Sequence, residues 1–183
     1  MLDLRFNKTS ETLLGDAQKT WLEQRLRSST TLWTVIVSTV TFNSTTHKTR
    51  LETWASYDEE HDRSIERQWL VDLINGIEHV RDHVVFVSGD IHSGGALDDG
   101  TWSDFPEISV PSTNTPIITC TLCDTEGECA NERACGLCSH LFNHHGVGYG
   151  IITATRDTLT MTVHGRYGQE KESLVILAAD SET

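Results

Sequence analysis

The sequence predicts a single α/β domain, a sheet with helices laid over it. At 183 residues the chain is long enough to bury one sizeable core and short for two. Twice in its first half, apolar residues at helical spacing give way to β-branched and aromatic residues, so helix, strand, helix and strand follow in order. Past Asp99 and Gly100 the period changes and strands dominate.

The first helix runs through AQKTWLEQRLRSS from residue 17. Ala17 with Trp21, and Leu22 with Leu26, pair at i,i+4 into one apolar stripe, and Asp16 or Gly15 is the expected cap. LWTVIVSTVTF, residues 32–42, is rich in Val, Ile, Thr and aromatic side chains and reads as a buried strand. Residues 43–62 hold no sustained period and read as a surface excursion anchored by Trp54 and Tyr57. A second helix follows with Ile65, Trp69, Leu70, Leu73, Ile74 and Ile77 on one face, ending near Gly76. Val84, Val85, Phe86 and Val87 then form a strand buried on both faces. FPEISVPS is a short strand between prolines. YGIITAT and TLTMTVHGRY form a hairpin in which Leu159, Met161 and Val163 alternate with threonines. SLVILAA is a last buried strand, and residues 180–183 are an acidic tail.

A net charge of −13, from 14 basic and 27 acidic side chains, repels polyphosphate backbones. Nucleic acid is therefore not an expected partner. No apolar run approaches the roughly 18 residues that cross a bilayer, so no transmembrane segment is expected. The opening MLDLRFNKTS lacks the basic-then-apolar pattern of a signal peptide. Asn7-Lys8-Thr9 and Asn43-Ser44-Thr45 nevertheless fit the glycosylation acceptor pattern of a secretory lumen.

The chemistry gathers where the strand of residues 84–87 stops at SGDIHSGG. Open α/β sheets place their ligands at the carboxyl ends of strands. Asp90 and His92 are two apart, so in extended geometry both project to one side, and a carboxylate and an imidazole can meet one cation. Gly89, Gly94 and Gly95 allow close approach of the backbone. Spacing alone leaves the ordinary alternative open, in which the Asp caps a turn and the His bonds the backbone.

MLDLR, LLGDAQKTWLEQRL, LWTVIVSTVTF, Trp54 and Tyr57 ahead of ERQWLVDLI, VVFVSGDIHSGG, FPEISV and GVGYGIITATRDTLTMTV follow in order over most of the chain. This succession resembles the PhoD-like alkaline phosphatases, metallophosphoesterases with a layered αββα core. The resemblance includes a Leu-Asp-x-Arg strand at the start and a Gly-Asp-x-His-Ser metal loop. It implies one domain over residues 1–183, a partial αββα sandwich of metallophosphatase type with a Cys/His-rich insertion at residues 119–145. Asp90 and His92 then stand for the metal-binding pair, with Ser93 a neighbour rather than a nucleophile. Iron and calcium are the implied metals: a carboxylate suits a hard cation and an imidazole a transition metal. The implied reaction is hydrolysis of phosphate esters of small molecules by a metal-activated water. Arg67, near the Trp54 and Tyr57 segment, is a candidate phosphate contact, with an ion pair on the helix surface as the alternative.

In the family an amino-terminal half precedes the Leu-Asp-x-Arg strand and supplies most of the metal ligands, whereas here Met1 sits almost on that strand. Two ligands do not hold a two-metal centre, since a catalytic ion takes about three protein ligands and an open position. The resemblance thus implies the carboxyl-terminal part of a secreted enzyme, either a fragment or a chain that associates with a separate amino-terminal half. The alternative is a catalytically silent remnant whose cysteine loop serves binding or interaction.

That loop carries Cys120, Cys123, Cys129, Cys135 and Cys138. The outer pairs have zinc-knuckle spacing, and structural zinc would brace the loop. Disulfides in an exported protein are the favoured reading, with one thiol of the odd set left over. His140, His144 and His145 could supply imidazoles to a zinc loop or to the phosphatase centre, with solvated loop histidines the favoured reading. Gly146, Gly148 and Gly150 precede no helix, so they are read as a turn into the strand and not as a phosphate cradle.

Overall fold

The computed structural model describes residues 1–42, 54, 63–89, 95–101, 103–110, 142–143 and 147–179. The first helix, α1 (Gly15–Arg27), buries Leu22 and Leu26 as the i,i+4 stripe requires. Trp21, on the same expected stripe, is 46% exposed. Neither Asp16 nor Gly15 caps this helix. Its N-cap is Leu14, with no side-chain cap bond, and Gly15 adopts a left-handed φ of +68° against the side chain of Asn7.

The second helix, α2 (Ser64–Asn75), does the capping instead. Oε2 of its buried Glu66 accepts hydrogen bonds from the Leu13 and Leu14 amides at 2.6 and 3.4 Å. Oε1 accepts from the Thr12 hydroxyl at 2.5 Å, and the Gly15 amide donates to that hydroxyl at 2.9 Å. Amides at the start of α1 that the helix itself leaves unpaired are therefore satisfied by a residue more than fifty positions away. Turning Glu66 and Arg67 inward with Leu70, Leu73 and Ile74 rotates α2 away from the expected face. Ile65 is displaced to 78% exposure as a result.

Five strands form the first sheet: β1 (Thr34–Val37), β2 (Val84–Ser88), β3 (Ala96–Asp99), β4 (Pro106–Ser109) and β5 (Phe142–Asn143), in the order β1-β2-β4-β3-β5. The first two and β4 run parallel, and β3 is antiparallel to both β4 and β5. A short helix, α3 (Glu78–Arg81), leads into β2. Val84, Val85 and Phe86 are buried on alternate faces, as the unbroken apolar run predicts. The antiparallel β3 has no strand signature in the sequence: two of its four residues are acids. It is held by pairing with β4 and by Leu97 in the core.

The second sheet is the meander β6 (Gly148–Ala154), β7 (Thr158–Gly165) and β8 (Glu170–Leu177). Leu159, Met161 and Val163 of β7 pack on Val85, Leu97 and Ile108 of the first sheet, so the expected alternation supplies the inter-sheet core. A second core lies under the helices, where Phe42 stacks on Phe86 at 4.2 Å and meets Trp54 edge-on at 5.4 Å. Trp54 is fully buried, its indole N–H donating to the Ser38 hydroxyl at 3.0 Å, which bears out its role as anchor. The described residues thus stack as helices, sheet, sheet. A second helical layer, which an αββα sandwich has, is not among them.

Three expectations are corrected here. Residues 1–5 form no strand: Leu2 donates one backbone bond to Val37, and Asp3 then accepts from the Arg5 and Phe6 amides and turns the chain away. The last strand is not buried on both faces, because Val175 and Leu177 point outward with Tyr149 and Ile151 while only Leu174 and Ile176 join the core. Gly148 and Gly150 are not a turn but lie inside β6. A Cβ on Gly148 would stand 2.0 Å from the His164 carbonyl oxygen, and one on Gly150 would stand 2.9 Å from Ile108 and Val110. Close packing of strand on strand and sheet on sheet requires these two glycines.

Candidate active site

The parallel strands β1, β2 and β4 end at one edge of the first sheet, and the chain leaves β2 there through Ser88 and Gly89. Asp90 and His92, the expected ligand pair, come next and lie outside the described residues, as does Ser93. So do the five cysteines (Cys120, Cys123, Cys129, Cys135, Cys138), the histidines His140, His144 and His145, Gly146 and Tyr57. What the structure describes is the end of the sheet from which that segment departs.

Its centre is Glu107 of β4, 2% exposed. Three donors converge on its Oε1: the Ser88 hydroxyl at 2.5 Å, the Phe42 amide at 2.9 Å and the Thr41 hydroxyl at 3.1 Å. The Ser88 and Ser109 hydroxyls lie 2.7 Å apart. Its Oε2 is buried with no hydrogen-bond partner among the described residues. Burial pushes the Glu107 carboxyl above its ordinary value; the bonds from Ser88, Phe42 and Thr41 oppose that rise, and the charge of Asp98 adds to it. Asp98 is the register partner of Glu107 on β3 and is equally buried, accepting from the Gly100 amide at 2.7 Å and the Ser103 hydroxyl at 3.0 Å.

Arg67 forms the wall beside this platform. It is buried, not on the helix surface. Its Nε donates to the Phe42 carbonyl at 2.8 Å, its Nη2 donates to Asp104 Oδ2 at 2.5 Å, and the guanidinium lies 4.5 Å from the centre of the Phe42 ring. The ion pair is thus present, but with a residue of the β3–β4 connection, and it clamps the chain just beyond β1. Asp104 holds a left-handed φ of 66°, which a short polar side chain tolerates.

Sequence reasoning noted FPEISV as a strand and passed over its acid. The signal was present, since Glu107 stands between Phe105 and Ile108 in an otherwise apolar segment. Among the described residues no group of three or more His, Cys, Asp or Glu side chains is placed to hold a metal ion.

A layered α/β domain whose parallel strands end at one edge, with Asp90 and His92 next in the sequence after the strand-end residues Ser88 and Gly89, is the class these observations define. The family described as PhoD-like phosphatase matches residues 3–163, and the chain belongs to that family. Among solved structures it is similar to one described as the structure of PhoD, with a TM-score of 0.61 and 19% identity. That likeness, covering 91% of this chain and 34% of the other, is one of fold. The chain therefore spans about a third of the length of the structure it matches. A comparison with curated proteins finds no match. No helix among the described residues is long and apolar enough to cross a membrane.

Proposed function

We propose that the chain is the carboxyl-terminal part of a metal-dependent phosphatase domain that hydrolyses phosphate esters of small molecules. The observation that carries this reading is the position of Gly89, the residue that opens Gly-Asp-x-His in the sequence: in a member of the PhoD-like family, the chain leaves β2 there at the edge where the parallel strands end. Asp90 and His92 would hold metal, an oxygen and a nitrogen donor compatible with the calcium and iron of the resemblance. When bound, the metals supply Lewis acidity toward the phosphoryl oxygens and a nucleophile active near neutral pH. This chain's own described residues supply the rigid edge: Glu107, Ser88 and Ser109 below, Arg67 and Asp104 beside. In this reading Arg67 meets phosphate only by exchanging Asp104, whose side chain is 45% exposed.

The remaining ligands would come from polypeptide that docks on this portion, in the same protein or as a separate half. Two surfaces support that: among the described residues β1 is the edge of its sheet, with Val35 41% exposed beside Trp21 and a groove of about 410 Å³. The outer face of the second sheet presents Ile151, Val175 and Leu177. Secretion, and disulfides rather than zinc among the cysteines, belong to the same proposal, through the acceptor triplets and the logic of oxidising compartments.

The test is elemental analysis of the purified chain together with hydrolysis of a chromogenic phosphate ester, repeated with the amino-terminal half of a family member supplied in trans. His92→Ala is expected to abolish the turnover of the assembled protein while leaving unfolding of the chain unchanged. Retention of more than about a tenth of the activity would defeat the ligand assignment, because loss of a metal ligand costs far more than tenfold. Absence of metal and turnover in every combination would favour the silent remnant.

A further inference from the structure

A carboxyl in a close-packed interior costs free energy that an apolar side chain of the same size does not. Glu107 nevertheless occupies the middle of the first sheet at the edge from which the candidate loop departs. Its partners are not neighbours in sequence. Thr41 and Phe42 lie just beyond β1, Ser88 is the last residue of β2, and Ser109, which shares the Ser88 hydroxyl, closes β4. The backbone repeats the linkage, with the Val110 amide donating to the Ser88 carbonyl and the Ser38 amide to the Val87 carbonyl, each at 2.8 Å. One carboxyl oxygen of β4 therefore joins the end of β2 and the segment that follows β1 to its own strand, and their mutual positions decide where Gly89 points. Nothing in the packing of β4 requires an acid there: its strand neighbour Ile108 faces the opposite core.

We propose that Glu107 is a positioning residue, which locks the carboxyl ends of β1, β2 and β4 together and so fixes the direction in which the chain leaves β2 toward Asp90 and His92. Its consequence for metal binding rests on the phosphatase reading; its effect on the strand ends does not. The raised affinity of Glu107 for a proton agrees with this role, since a neutral carboxyl or its amide isostere can hold the same donors on Oε1. Glu107→Gln is then the conservative variant, and Glu107→Ala the disruptive one.

The experiment is amide hydrogen exchange of the full chain by NMR, combined with a Mn²⁺ titration followed by EPR. In Glu107→Ala the Val110 and Ser38 amides should exchange at least tenfold faster while the amides of α2 and of β7 change less than twofold. Glu107→Gln should restore the original rates. Mn²⁺ affinity should fall about tenfold in the alanine variant and recover in the glutamine one. Unchanged Val110 and Ser38 rates, or a uniform rise over the whole molecule, would overturn the proposal, because neither is a loosening confined to the strand ends that Glu107 joins. Should Glu107→Ala fail to fold, Ser88→Ala cuts only the β2 link and is expected to raise Val110 exchange at least threefold with α2 unchanged. Absence of Mn²⁺ binding by the wild-type chain alone agrees with a centre completed by docked polypeptide, and the exchange result then decides the role of Glu107.

Discussion

Removal of the Glu66 carboxylate is expected to destabilise the chain at the start of α1. Glu66→Ala leaves the buried Leu13 amide, bonded at 2.6 Å, with no acceptor, and takes the acceptor from the Thr12 hydroxyl. A buried donor stranded in this way costs about 1–3 kcal/mol. The Leu14 bond at 3.4 Å is long and adds little, and Thr12 is part-buried and can turn toward water. The ion pair with Lys19, at 3.9 Å and with that side chain 29% exposed, contributes about 0.5 kcal/mol at most. Against this, the variant no longer buries a carboxylate, which returns part of the loss. The balance is a destabilisation of about 1–3 kcal/mol. Urea unfolding followed by helical circular dichroism measures it as a fall in midpoint at constant slope. Thr12→Val should cost about 1 kcal/mol, and the double variant should lose less than the two singles combined because they share a bond. A loss below about 0.5 kcal/mol for Glu66→Ala would refute the claim that α2 caps α1.

Other expectations follow from the same geometry. Glu107 has a folded pKa above its ordinary 4.5, so the native state keeps a proton that the unfolded chain releases. Its contribution is therefore complete below the unfolded value and is lost as pH rises toward the native one, with a slope of at most about 1.4 kcal/mol per pH unit. Glu107→Gln cannot titrate and should lack that slope; parallel stability curves for the two proteins as pH rises above the ordinary 4.5 would contradict it. Gly148→Ala puts a Cβ 2.0 Å from a backbone oxygen that cannot move away, and should cost about 3 kcal/mol or prevent folding. A thermal midpoint within a degree or two of wild type would show that β6 and β7 do not approach as described. Arg67→Lys keeps the charge but not the fork that reaches both Phe42 and Asp104, and should lose about 1–3 kcal/mol of unfolding free energy. Wild-type stability for that variant would mean the clamp is dispensable.

The candidate site was legible in unequal parts. The apolar run of β2 and its abrupt end marked the edge of the sheet, because a strand buried on both faces declares itself by composition alone. The period of two in β7 likewise announced which side chains fill the space between the sheets. Arg67 was visible as an ion-pair former, but its partner Asp104 was not, since no local pattern links residues 37 positions apart. Glu107 was read past because an acid within a strand is ordinarily assigned to the solvent face.

By itself the sequence determined the class of fold, the helix and strand that precede each turn, the alternation that builds the inter-sheet core, and membership in the PhoD-like family through Asp90, His92 and the segments around them. These are written in side-chain periodicity and short motifs, which act over one or two turns of chain. Tertiary structure alone decided that α2 rotates to bring Glu66 under α1, that β3 pairs as a strand despite its acids, and that Glu107 draws the end of β2 and the segment past β1 onto one oxygen. Each depends on satisfying buried polar groups between segments far apart in sequence, a condition that exists only once the chain has closed on itself.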